Sequence, residues 1–347
     1  MSAKDWQEFL RKQGAQIDND WVVKFESDTK PESQAGYQLC ALTQLGCIEV
    51  KGEEAQQFLQ NQLSNDISLV NEKSAQLAAY CSAKGRVISM FWIVKSGGAF
   101  LMLLPRDRLE ATVKRLRMFV LMSKVEINDC SDNWHVIGVS GEQSLAALRN
   151  FDIDNIESPL AVAQVANLIA VRTPGDTPRF LLLLEDTQAQ QTWQGLAQQA
   201  HCVAARNWIN EDINAGIPQV YEATSEAFVP QMLNLHSLSA ISFTKGCYPG
   251  QEVVARMKYL GKLKRRMYRA ELSGMIGVAA GDEIMAEGTD SAVGQVVDVA
   301  PLTDGKGYNL LAVLLVSASE QNLYLKEHNE YRLQIKDLPY EVELENT

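Results

Sequence analysis

A chain of 347 residues with 46% hydrophobic and 22% charged side chains has the size for two or three domains and enough apolar content to give each a core. That composition excludes disordered, collagen-like and coiled-coil chains. The net charge of −11, from 32 basic and 43 acidic residues, argues against a general polyanion binder and leaves room for a local basic patch.

Residues 1–36 read as a polar N-terminal extension, with a short helix over Asp5–Lys12 and a linker over Ser27–Ser33. The acids near the start speak against a secretory signal. From Tyr37 the texture changes. Cys47–Gly52 alternates and stops at a glycine, as a strand does, and Glu53–Leu63 spaces Ala55, Phe58, Leu59 and Leu63 as a helix does. Strands are expected over Gln76–Cys81, Val87–Val94 and Ala99–Leu104, a helix over Arg108–Met118, and a strand over Lys124–Asn128. The pattern then repeats. Trp134–Val139 reads as a strand, Glu142–Arg149 as a helix, Asn167–Arg172 and Arg179–Leu184 as strands, and Thr187–Gln199 as a helix. Helices mixed with hairpin-like strand pairs favour an α+β class over a doubly wound parallel sheet.

Past Lys264 the helical period fades. Arg266–Leu272, Glu283–Ala286, Ala292–Val299, Asn309–Val316 and Glu330–Ile335 are short strand-prone segments separated by Gly/Asp turns, the pattern of a small all-β barrel or sandwich. The expected organisation is therefore an extension over 1–36, an α+β body over 37–265 with a subdivision near 130–145, and a β-barrel over 266–347. The longest apolar runs, Leu310–Val316 and Val87–Val94, fall well short of the ~20 residues of a membrane span, so no membrane association is expected. Six cysteines without C-x-x-C pairs suit free thiols in a reducing cytoplasm, and four scattered histidines give no dedicated zinc site.

One segment concentrates chemistry: Thr244-Lys245-Gly246-Cys247-Tyr248-Pro249-Gly250-Gln251-Glu252-Val253-Val254-Ala255-Arg256. Two glycines and Pro249-Gly250 make a tight loop, and Gln251 onward reads as a helix with Glu252 in its first turn and Val253, Val254 and Met257 on an apolar stripe. A cysteine just before a helix N-terminus and beside Lys245 is expected to favour thiolate. Such a thiolate can serve as nucleophile, redox group or transient metal ligand; the alternative is a loop cysteine without duty. Lys258, Lys262, Lys264, Arg265, Arg266 and Arg269 form a basic run that reads either as a contact for an anionic partner such as RNA or as a solvated charge run. Trp208 reads either as a stacking platform for a planar heterocycle or as a core residue. There is no G-x-G-x-x-G, Walker loop, G-x-S-x-G or H-E-x-x-H.

Lys245-Gly246-Cys247-Tyr248-x-Gly250-Gln251-Glu252 resembles the signature of the YgfZ proteins, the folate-binding tRNA-modifying relatives of the glycine cleavage aminomethyltransferase. Further stretches fit in order: Lys51-Gly52 through Gln60-x-Gln62-Leu63-x-Asn65-Asp66, Ala83-Lys84-Gly85-Arg86, Asn214-Ala215-Gly216-Ile217-Pro218, Pro230-Gln231-x-x-Asn234-Leu235, Ile241-Ser242-Phe243-x-Lys245 and Leu338-Pro339-Tyr340. The resemblance implies ferredoxin-like α+β domains around a central folate-sized hole, followed by a C-terminal β-barrel. It implies a cytoplasmic accessory factor for tRNA methylthiolation and iron–sulfur enzyme maintenance. Its partners would be tetrahydrofolate, iron–sulfur tRNA-modifying enzymes and tRNA through the 258–269 run. Cys247 would be the central functional residue, with Lys245, Tyr248, Gln251, Glu252 and Arg256 in the same motif, and Trp208 would contact folate.

Two positions depart from the relatives. The second folate-contacting tryptophan falls at Leu45, which removes a stacking face worth about 0.5–1.5 kcal/mol. Asn214 stands where aminomethyltransferases carry a pterin-binding glutamate; a neutral amide can bond a pterin edge but cannot be its anionic partner. That argues for an accessory factor over a glycine-cleavage transferase, the second reading being a tetrahydrofolate-dependent one-carbon transferase.

Overall fold

Many of the strands are built as the alternating and apolar runs demand. Val87–Ser96 and Ala99–Pro105 are joined by Gly97-Gly98, whose φ values of 53° and 85° suit a tight hairpin turn that side chains resist. The computed structural model describes residues 2–26, 36–260, 263–274, 276–302 and 304–342. The linker expected over Ser27–Ser33 and the cation Lys262 lie outside the described residues.

Two compact units emerge, each from several stretches of chain. The first comprises Met1–Ala55, Ser68–Gln76 and Trp92–Trp208, the second Gln56–Ile67, Leu77–Phe91 and Ile209–Thr347. In the first unit a six-stranded sheet runs in the order Val162–Val165, Leu168–Arg172, Arg179–Glu185, Trp134–Ser140, Gln38–Ala41 and His201–Val203, antiparallel until its last, parallel pair. Helix Ala3–Lys12 adds Trp6, Phe9 and Leu10 to the same core as Phe180, Leu182, Trp193 and Leu196. The stretch read as a polar extension therefore supplies core side chains, together with a hairpin of Ala15–Asp18 and Trp21–Phe25 that was not read from the sequence. A signal for it exists: Asn19-Asp20 takes φ values of 44° and 68°, the left-handed turn those two residue types tolerate.

A second sheet orders Gln76–Cys81, Val87–Ser96, Ala99–Pro105, Leu45–Lys51 and Glu126–Asp129, and the division between units falls inside Val87–Ser96. Helix Arg106–Arg117 buries Leu109, Val113 and Leu116; of its cations Lys114 and Arg117 are exposed, Arg106 and Arg115 half-buried, and Arg108 is buried. In the second unit a closed barrel joins Arg265–Ser273, Gly307–Leu315, Gly294–Pro301, Glu283–Ala286, Leu323–Leu325 and His328–Lys336. Leu272, Ile284, Val296, Leu310, Ala312 and Leu314 fill it. The chain is thus α+β with a C-terminal β-barrel, the class read from its periodicities. Among the described residues no helix is long and apolar enough to cross a membrane.

Candidate functional site

The Cys247 loop is held at both ends by segments far away in sequence. At its start, Lys245 is buried, and its ammonium donates to the carbonyl oxygens of Gln60 (2.5 Å), Leu63 (2.6 Å) and Asn65 (3.0 Å). These carbonyls lie at and just beyond the end of helix Ala55–Gln62, where backbone acceptors lack intrahelical partners and the dipole favours a cation. The rest of the 60–66 segment builds the socket. Asn65 Nδ2 donates to the carbonyls of Leu77 (2.9 Å) and Ser239 (2.7 Å), Gln60 Nε2 donates to Asp66 (3.0 Å), and the Ile67 N–H donates back to Gln60 Oε1 (2.8 Å). Burial outweighs the nearby Asp66 and holds the Lys245 amine down to about 8.

At its end the loop turns at Gly250, with φ of 80°. A Cβ there would lie 2.5 Å from the carbonyl oxygen of Ser82 and 2.6 Å from Gly85 Cα, so only glycine lets the two backbones meet. Gly85, φ 69°, faces Val253 and the Gly250 carbonyl in the same way. The turn Ser82–Arg86 and the turn Pro249-Gly250 are therefore one packed junction. Between these anchors Tyr248 is buried beneath the Lys245 ammonium, which lies 5.2 Å from the ring centroid, and burial raises its phenol above the ordinary range. Cys247 is exposed, whereas Cys40, Cys47, Cys81 and Cys130 are buried and Cys202 is half-buried.

Two expectations about the loop need correction. Lys245 does not stand beside the thiol as a free cation, because three backbone carbonyls hold its ammonium inside. The helix Gln251–Leu260 begins four residues after Cys247, with the Tyr248–Gly250 turn between them and the Gln251 N–H already donating to the Tyr248 carbonyl at 3.2 Å. On that helix Val254 is fully buried and Met257 half-buried, but Val253 is 37% exposed and covers Gly85 instead of the core. Gln251 is half-buried; Glu252 and Arg256 are exposed. Gln231 Nε2 donates to the Val254 carbonyl at 2.5 Å and Asn234 Nδ2 to that of Met267 at 2.9 Å, which gives the Pro230–Leu235 stretch its purpose as a pair of amide hooks.

Asn214, also in the second unit, is half-buried at the end of helix Ala205–Asn214. Its Oδ1 accepts from Asn309 Nδ2 at 2.8 Å, and Asn210 Oδ1 accepts from the same group at 2.9 Å. Next to it Gly216, φ 66°, makes room for Tyr340, whose hydroxyl donates to the Gly216 carbonyl at 2.8 Å. Trp208 and Leu45 belong to the first unit. Trp208 is 5% exposed; its indole packs on Gly138, where a Cβ would come within 2.3 Å of the ring, and the Arg179 guanidinium lies 5.1 Å from its centroid. Leu45 is half-buried at the start of Leu45–Lys51, where its carbonyl accepts from Arg106 Nη2 at 3.4 Å.

The described part of the basic run is partly engaged. Lys258 Nζ lies 3.8 Å from the Phe243 centroid, Arg265 donates to the Val293 carbonyl at 3.4 Å, Arg266 covers Tyr268, and Arg269 bonds Asn309 at 3.1 Å and pairs with Glu271 at 3.5 Å. Among the described residues no three His, Cys, Asp or Glu side chains gather where one metal ion would reach them.

Comparison with known proteins places this geometry in a class. Residues 26–173 match the GCVT N-terminal domain family. The chain superimposes on the glycine cleavage system aminomethyltransferase T from Bartonella henselae with a TM-score of 0.78 over 96% of each chain at 13% identity, a likeness of fold alone. The class is therefore the aminomethyltransferase-like fold.

The family within it follows from closer relatives. The tRNA-modifying protein YgfZ of Yersinia pestis is 31% identical over 306 residues, 87% of this chain and 92% of the relative. That of Colwellia psychrerythraea is 34% identical over 230 residues, 66% and 70%, and that of Sodalis glossinidius 29% over 316 residues, 90% and 95%. The chain belongs to the YgfZ family of tRNA-modifying proteins.

Proposed function

We propose that this protein is a folate-binding factor of the cytoplasm that serves tRNA methylthiolation and iron–sulfur enzyme maintenance, with the Cys247 thiol as its reacting group. The observation that carries this reading is the exposure of Cys247 on a loop whose two flanks are buried and anchored. A thiol presented this way meets a reactant without unfolding its surroundings, and its position is over-determined by the Lys245 socket and the glycine junction. Gln251, Glu252 and Arg256 follow on the helix as candidate contacts for whatever approaches it.

Tetrahydrofolate would supply a one-carbon carrier. The donor set suits a pterin edge in part. The Asn214 amide has a second lone pair on Oδ1 besides the one Asn309 uses, and two N–H groups, so it can both accept and donate. We propose it as a pterin contact, and Trp208 as a folate contact through the part of the indole not covered by Gly138 and Arg179; Leu45 contributes only an aliphatic surface. Iron–sulfur tRNA-modifying enzymes are the proposed protein partners. A contact between tRNA and the 258–269 run would fall on those of its cations that the barrel does not already engage. Without a carboxylate at 214, the accessory role is favoured over an aminomethyl transferase.

The test is Cys247→Ala in cells deprived of the native protein. tRNA methylthiolation is expected to fall to the level of the deletion while the purified variant unfolds at the same denaturant concentration; unchanged modification removes the reading. Calorimetric titration with tetrahydrofolate, comparing the native chain with Trp208→Ala and Asn214→Ala, tests the folate contacts independently of activity. Steady-state turnover of an aminomethyl donor by the purified protein would instead favour the transferase.

A further inference from the structure

The helix Arg106–Arg117 runs into a short apolar turn that the fold leaves in solvent. Seven large apolar side chains are exposed among the described residues, and four of them, Met118, Phe119, Leu121 and Met122, stand within five positions. Leu121 and Met122 are 87% and 97% exposed, more than any of the others. Single apolar residues on a surface need no explanation, whereas a contiguous group of this kind marks an interaction site. The turn is also held in shape. The Phe119 and Val120 N–H groups donate to the carbonyls of Leu116 (3.0 Å) and Arg117 (3.3 Å), and the Ser123 N–H to that of Val120 (2.8 Å). Just beyond, the Lys124 N–H donates to Glu54 Oε2 at 2.7 Å and its ammonium pairs with Glu53 at 2.6 Å. Leu121 has φ of 44°, a left-handed backbone where glycine or asparagine is at ease and leucine is strained. Its surroundings therefore hold a bulky apolar side chain outward against its local preference.

Cations collar this turn. Between Ala111 and Val125 the chain carries Lys114, Arg115, Arg117 and Lys124 and no acid, in a molecule of net charge −11. Lys114 is exposed one helical turn before Met118, on the same face, and no hydrogen bond or ion pair engages it among the described residues. Arg117, exposed and adjacent to Met118, donates to the neutral Ile127 carbonyl at 2.8 and 2.6 Å and to Asn128 Oδ1 at 3.2 Å, so its charge stays uncancelled. Glu53 and Glu54 are taken up by Lys124, and Asp107 and Glu110 lie toward the other end of the helix.

We propose that Met118–Met122 is a docking knob for a partner protein that offers an apolar cleft rimmed with carboxylates. The complementarity is that of an apolar centre inside a ring of opposite charge. A second copy of this chain fits poorly, because a two-fold contact through the knob sets Lys114 and Arg117 of each copy against those of the other. An anionic bilayer would attract the collar but repel a chain of net charge −11, and four side chains are too few to hold it there. On RNA, Phe119 alone of the four has a ring to stack. This inference goes beyond the reading of Cys247 and does not rest on it.

The test places photoreactive benzoyl-phenylalanine at position 121 of the full chain in its native cells, with the same group at the exposed Lys306 as the control. Light is expected to join position 121, and not 306, to one other protein through a peptide that carries carboxylates beside apolar residues. That protein is then purified and titrated against the unlabelled chain. Leu121→Asn with Met122→Ser should weaken binding about 10-fold or more, as loss of a central apolar anchor does. Lys114→Glu should weaken it about fivefold at low salt, with the difference fading as salt is added. The double variant should unfold at the same or a higher denaturant concentration, since asparagine suits the left-handed backbone, which separates docking from folding. Adducts formed only with this chain itself, with lipid or with tRNA, equal adducts at 121 and 306, or none at 121 overturn the proposal. So does a captured protein whose affinity the substitutions leave unmoved.

Discussion

Cys47 and Cys247 are the same side chain in opposite settings. Cys47 lies within Leu45–Lys51, 1% exposed, and Cys130 follows Glu126–Asp129 so closely that its N–H donates to the Cys47 carbonyl at 2.9 Å. Burial first, and the Cys130 thiol beside it second, push the Cys47 thiol well above its ordinary range. Cys247 sits on a turn whose neighbours at 245 and 248 are buried while it is not. A thiol in a strand is inert because its neighbours are apolar and close. A thiol on an anchored turn combines access with a defined position, the two requirements of a reacting group.

The sharpest way to break this contrast is to remove the anchor. Lys245→Ala leaves the Gln60, Leu63 and Asn65 carbonyls without their donor in a buried socket, and should cost about 3 kcal/mol in denaturant unfolding. A loss below about 1 kcal/mol would mean that water replaces the ammonium freely. Next comes access itself. Alkylation of the native chain should tag Cys247 first, with Cys40, Cys47, Cys81 and Cys130 slower by roughly 100-fold or more because they wait for local opening, as resolved by peptide mass analysis over time. Equal rates at Cys47 and Cys247 would dissolve the distinction between the two regions.

Gly250→Ala forces a side chain into a left-handed backbone and against Ser82 and Gly85, and should cost about 2 kcal/mol while altering the Cys247 alkylation rate. The smallest effect is with pH. The Lys245 amine is held down to about 8 when folded, against 10.5 ordinarily, so between these values the unfolded chain binds more protons. Stability from this group therefore rises with pH across that window, by about 1 kcal/mol in all once solvent screening of the ammonium is allowed for, and the rise should vanish in Lys245→Gln measured alongside.

Much of this molecule is readable from local pattern. The alternating and apolar runs mark the strands of the barrel, and Gly97-Gly98 marks a hairpin, because a period of two and a left-handed turn are properties of a few adjacent residues. The N-terminal piece misleads for the same reason: Trp6, Phe9 and Leu10 are sparse among charges, and only their shared helix face sends them to one core. In the Cys247 segment the loop, the turn and the helix are all visible in sequence, while the duty of Lys245 is not. Read locally, it belongs to the thiol two residues away; folded, it belongs to carbonyls some 180 residues back in the chain.

The amino-acid order alone determined many of the element types, the α+β class, the barrel and the family to which the chain belongs, since each is written in short-range spacing or in ordered motifs. Tertiary structure decided which cysteine meets solvent, which cation is spent inside and which remains outside, and why 60–66, 82–86 and 245–250 recur together. Those outcomes depend on contacts between segments far apart in the chain, and the free energy of a buried ammonium or a glycine-tight junction exists only once both sides have met.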